Sequence, residues 1–133
     1  MANNLKMANA AVNEQADRLG ALLSGGTINL YGGTQPATAD TTSGSSVLAV
    51  TLNFGTPAFA SAVGGVMLAA YIAPATASAS VDPVTWFRAK KSDGTAVMDG
   101  SVGTASCDLN LNSTNISIGA VVTISNFQHT VTK

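Results

Sequence analysis

The side chains that do chemistry are few in this sequence, and they are scattered. It holds one histidine, His129, and one cysteine, Cys107. Hydrolysis by a triad needs a nucleophile, a base and a group that orients the base. No Gly-x-Ser-x-Gly elbow accompanies His129, which is read as a surface or edge residue of the last strand. One Cys and one His cannot complete the four-ligand shell of a structural zinc site. Asp93, Asp99 and Asp108 carry oxygens that suit calcium, but Asp93-Gly94 and Asp99-Gly100 are turn dipeptides and are read as turns. The pairs Gly25-Gly26, Gly32-Gly33 and Gly64-Gly65 are not followed by Lys-Ser/Thr and open no predicted helix, so no phosphate cradle is expected. The expectation is a chain with no catalytic residue, no metal site and no cofactor, and not an enzyme.

Two binding chemistries remain. Arg88, Lys90 and Lys91 are the densest basic group, but strand alternation sends Arg88 and Lys90 to one face and Lys91 to the other. Six Lys and Arg in all are too few for a phosphate-neutralising patch, so no nucleic-acid partner is expected. Trp86, Tyr31 and Tyr71 are the stacking candidates if the chain is a carbohydrate- or ligand-binding module. Against that, Trp86 stands in a strong strand signal followed closely by a turn, which predicts a core anchor.

The elements that would position these residues follow from periodicity. Leu5, Ala8, Val12, Leu19 and Leu22 recur three and four apart, with Gln15 the polar member, and predict a helix from about Asn4 to Leu23. Glu14 and Arg18 are spaced for an exposed ion pair, and Ser24-Gly25-Gly26 stops the helix. After Thr27 the period becomes two. Strands are expected at Thr27 to Tyr31, Leu48 to Asn53, Val66 to Ile72, Thr85 to Ala89 and Thr95 to Met98. Further strands are expected around Leu109 with Leu111, Ile116 with Ile118, and Val121 to Phe127. Thr34 to Ser46 and Ala73 to Ser80 lack bulky apolar residues and read as loops. One helix followed by about seven short strands, with no helical crossover, predicts a mainly β chain: an antiparallel β-sandwich or barrel-like domain preceded by one N-terminal helix. The division is an N-terminal helical arm, 1–24, and a β domain, 25–133.

Composition bears on partners. The 133 residues suit one domain, and the lone cysteine excludes an internal disulfide framework. Only 10% of residues are charged, where about a quarter is usual. Between Leu19 and Val81 the sole charge is Asp40, and after Asp108 the next is Lys133. Such a neutral surface lacks the repulsion that keeps chains apart and suits coverage by neighbours. The first ten residues show no basic region followed by an apolar run, so no secretory signal is expected, and Asn112-Ser-Thr114 and Asn115-Ile-Ser117 are expected to stay unglycosylated. The least polar stretch, from Val63 to Ala73, ends at Pro74 after 11 residues, short of the roughly 20 a membrane helix requires.

The segments Gly26-Thr-Ile-Asn-Leu-Tyr-Gly32, Thr85 to Gly103, Asp108-Leu-Asn-Leu-Asn112 and Ile118 to Ile124 resemble small β-rich virion proteins of tailed bacteriophages. The resemblance implies a virion structural protein of the capsid decoration or cement type, assembled in the host cytoplasm. Its partners would be the major capsid protein and copies of itself, as a dimer or trimer, with no nucleic acid and no membrane. A tail- or fibre-associated component, an adaptor or host-surface binder, is the alternative. No catalytic residue carries over. If the helix reaches a neighbouring chain, Leu5, Ala8, Val12, Leu19 and Leu22 are the expected interface.

Overall fold

A computed structural model describes residues 5–44 and 46–131. The helix α1 spans Asn9–Leu23 and starts later than its spacing suggested. Ala8 caps it in an extended conformation (φ −72°, ψ 158°) with no side-chain hydrogen bond to the first turn. Residues 5–8 are therefore not helical, and Asn4 lies outside the described residues.

Among the described residues nine strands follow: β1 Thr27–Gly32, β2 Leu48–Asn53, β3 Val66–Leu68, β4 Ala75–Thr76, β5 Val84–Lys90, β6 Ala96–Gly103, β7 Leu109–Leu111, β8 Val121–Val122 and β9 Ile124–Thr130. They form a seven-stranded sheet in the order β2-β1-β5-β6-β7-β9-β3 and a two-stranded sheet of β4 and β8. The sheet curls into a half-barrel behind the single helix, a mainly β domain of the barrel-like kind. Most pairings are antiparallel, but β6 and β7 run parallel, with Val102 opposite Leu109. The short connection between them doubles back through Ser106 (φ 58°).

Several expectations need correction. Asp99-Gly100 is not a turn: both residues lie inside β6, opposite Arg88 and Phe87 of β5. The glycine is there because a Cβ at position 100 would collide with the Phe87 ring. Of the run from Val66 to Ile72 only Val66–Leu68 is a strand, and Tyr71 is 80% exposed. The supposed loop from Ala73 to Ser80 contains β4, held against β8. Ile116 makes only an isolated bridge, to Val81, and Ile118 stays exposed outside any strand.

Directly opposed residues of antiparallel strands share a face. One face of β2-β1-β5 carries Val50, Leu52, Ile28, Leu30, Phe87 and Ala89, all in the main core. Phe54, Phe59 and Phe127 close over it; the rings of Phe87 and Phe127 meet edge to face at 5.1 Å.

The helix lies on this core through Val12, Ala16, Gly20 and Leu23. A Cβ on Gly20 would sit 3.4 Å from Phe59 Cβ, so the small residue lets the helix approach closely. Burying Val12 and Leu23 contributes about 1.5–3 kcal/mol each. Three side chains of this segment also accept backbone N–H groups: Asn13 from Gly65 at 2.8 Å, Asp17 from Ala62 at 2.8 Å, and Ser24 from Ala58 at 3.2 Å. The helix and its cap thus serve backbone donors of the connection that precedes β3.

Candidate interaction surface

The opposite face of β2-β1-β5-β6 carries a polar and aromatic layer. One row across the strands is Thr51, Asn29, Arg88 and Asp99. Thr51 Oγ1 donates to Asn29 Oδ1 at 2.9 Å, and Asn29 Nδ2 donates to the Tyr31 hydroxyl at 3.3 Å. Arg88 holds Asp99 in a two-pronged pair, Nε to Oδ1 at 2.7 Å and Nη2 to Oδ2 at 2.9 Å. Both side chains are almost wholly buried. The hydrogen bond from Arg88 to Asp99 raises the guanidinium pKa further above its ordinary value, against the opposing effect of burial. Asp40, in the long connection from β1 to β2, lies near enough to favour that charge as well.

In the next row Tyr31 stacks on Trp86 with centroids 4.5 Å apart, and Arg88 Cζ lies 5.4 Å from the Trp86 ring. Trp86 is fully buried, and its Nε1 meets no protein acceptor. Trp86 and Tyr31 therefore stack on each other and offer no face to a ligand. Of the three stacking candidates only Tyr71 is exposed. Trp86 is a packing anchor, though in this second layer and not in the main core cluster.

The remaining reactive groups stay apart. Among the described residues no three His, Cys, Asp or Glu side chains gather as metal ligands would. His129 is half-buried in β9, paired with Met67. Asp93 accepts the Thr95 N–H at 2.9 Å in the turn after β5, and that bond holds its carboxyl below the usual range. Asp108 accepts from the Ser101 N–H at 2.9 Å, tying the β6–β7 connection to its strand. Lys91 Nζ is 4.0 Å from Asp93, an exposed contact that contributes little. Glu14 and Arg18 are not among the ion pairs of the described residues.

What the fold does bring together is the uncharged part of the chain. Residues 41–81 and 109–132 contain no Lys, Arg, Asp or Glu. In space these two stretches pair with each other: β3 with β9, β4 with β8, and Val81 with Ile116. The charges of the β domain fall instead mainly on β5, β6 and their connections. Within these two stretches Val47, Val63, Leu68, Tyr71, Ile118 and Val121 are all exposed. Leu68, Tyr71 and Pro74 line a groove with residues 123–127, and Val121 follows where β8 pairs with Thr76. The exposed Leu68 and Tyr71 at this groove mark a surface suited to another protein.

The residues expected on an inter-chain helix face are divided by the structure. Val12 is fully buried in its own chain, and Leu19 is partly buried against the same core. Leu5, Ala8 and Leu22 are exposed. The fully buried face runs through Val12, Ala16, Gly20 and Leu23, so of the expected stripe Val12 lies on it and Leu19 packs at its edge. Tyr71 was legible only as a stacking candidate, and Leu68, Ile118 and Val121 were not legible as surface residues, because isolated apolar residues in a strand or a turn give no signal of exposure. The signal that was legible is the run of residues without charge. No family model, no curated protein and no solved structure matches the chain.

Proposed function

We propose that this protein is a bacteriophage virion structural protein that attaches to the outside of the head as a decoration or cement subunit and stabilises the shell. The observation that supports the reading is the pairing of the two uncharged stretches through β3 with β9 and β4 with β8, with Leu68, Tyr71, Ile118 and Val121 exposed within them. An interface core is depleted of charge and enriched in aromatic and aliphatic side chains. The major capsid protein is the partner in this reading. Its surface repeats at every local symmetry axis, so modest contacts gain strength through multivalency. A subunit that binds the intact shell preferentially also raises the shell's stability by mass action.

The test mixes purified protein with heads that lack it, then measures bound copies per particle and the temperature of DNA release. Binding is expected to survive moderate salt, because few formal charges take part. Leu68→Asp with Tyr71→Asp is expected to abolish binding while leaving the domain folded, since both side chains are exposed. Label found only on tails, or heads equally fragile with and without saturating protein, refutes the proposal and favours a tail-associated role.

A further inference from the structure

The helix presents two stripes, and its own domain covers only one. Val12, Ala16, Gly20 and Leu23 face the core. At 3.6 residues per turn, Ala11, Gln15, Arg18 and Leu22 fall along a second line roughly a third of a turn away, and the extended Ala8 precedes them at the N-cap. All five are exposed, and Ala11, Gln15, Arg18 and Leu22 border a furrow with Glu14 and Leu19 along the outer side of the helix. Glu14 and Arg18 lie on the same flank of that line, and neither has an ion-pair partner among the described residues.

We infer that this stripe is the contact between two copies of the chain, packed antiparallel across a two-fold axis near residue 16. In an antiparallel pair of helices related by a two-fold axis, the same flank of each helix meets the other. An axis at residue 16 sets Glu14 level with the partner copy's Arg18, and Arg18 level with its Glu14. The same axis sets Leu22, the one large apolar residue of the stripe, against the small Ala8 and Ala11 of the other copy. Gln15 then meets its own counterpart close to the axis, where two amides hydrogen-bond to each other. A parallel arrangement opposes Leu22 to Leu22 and Ala8 to Ala8, and leaves Glu14 and Arg18 without reciprocal partners. Shape and charge are both self-complementary only in the antiparallel register.

A single-helix contact of this length falls below the standard size of a stable interface, so the dimer is weak and concentration-dependent. The inference rests on the self-association expected of a virion subunit but not on attachment to a shell. The two fail separately: exposed ion pairs are screened by salt, whereas the uncharged face is not.

The experiment is sedimentation velocity on the full chain from low micromolar to near-millimolar concentration, in low and high salt. Wild type is expected to dimerise, less so in high salt. Arg18→Glu turns two attractive contacts into repulsive ones and is expected to weaken the dimer about tenfold. Glu14→Arg with Arg18→Glu restores reciprocal pairing and is expected to return dimerisation to the wild-type range. Leu22→Glu is expected to leave only monomer. Circular dichroism and a shielded Trp86 emission confirm folding in each variant, all of which alter exposed positions. A wild-type monomer at every concentration overturns the inference. So does a dimer indifferent to Arg18→Glu and Leu22→Glu, or a charge swap no tighter than Arg18→Glu alone.

Discussion

Replacing Asp99 by Ala separates a buried strand position from a surface turn by a wide margin. Arg88 and Asp99 are joined by two hydrogen bonds of 2.7 and 2.9 Å, and their side chains are only 7% and 4% exposed. Asp99→Ala leaves a buried guanidinium without its anion, which costs about 3–5 kcal/mol. At about 1.36 kcal/mol per factor of ten, the folding equilibrium falls roughly 150-fold or more. An Asp in an exposed turn changes stability by only about 0.5 kcal/mol. Urea denaturation followed by circular dichroism and Trp86 emission measures the difference, with an unchanged m-value confirming that the folded state is preserved. The double variant Arg88→Met with Asp99→Leu removes both charges and is expected to be less damaging than Asp99→Ala alone. A loss below about 1 kcal/mol for Asp99→Ala, or a double variant worse than the single one, refutes the buried-pair reading.

Trp86→Ala removes the stacking partner of Tyr31 and is expected to cost about 3–5 kcal/mol; resistance of wild-type emission to acrylamide checks the burial directly. Asp93 has a lowered pKa from the Thr95 N–H, so its contribution is present above the unfolded value of about 3.9 and fades as pH falls through the lower folded value. The stability gap between wild type and Asp93→Ala, followed by urea midpoints, is therefore expected to be small, and to be wider at neutral pH than in acid.

The alternation of small polar and β-branched residues after Thr27 determined the β class, because only a pleated strand sends successive side chains to opposite faces. Ser24-Gly25-Gly26 fixed the end of the helix, and the missing charges marked which stretches other protein is suited to cover. Three things needed the folded chain. Asp-Gly reads as a turn locally, but Arg88 across the strand pair and the Phe87 ring against Gly100 hold it extended. The helix spacing admits more than one face, and the bed of Phe59 and Met67 around Gly20 selects the one that docks. The two uncharged stretches are separated in sequence by the charged β5–β6 hairpin, and only strand pairing of β3 with β9 and β4 with β8 brings them together. In each case the deciding partner lies far along the chain or on another element, and local periodicity carries no information about contacts of that range.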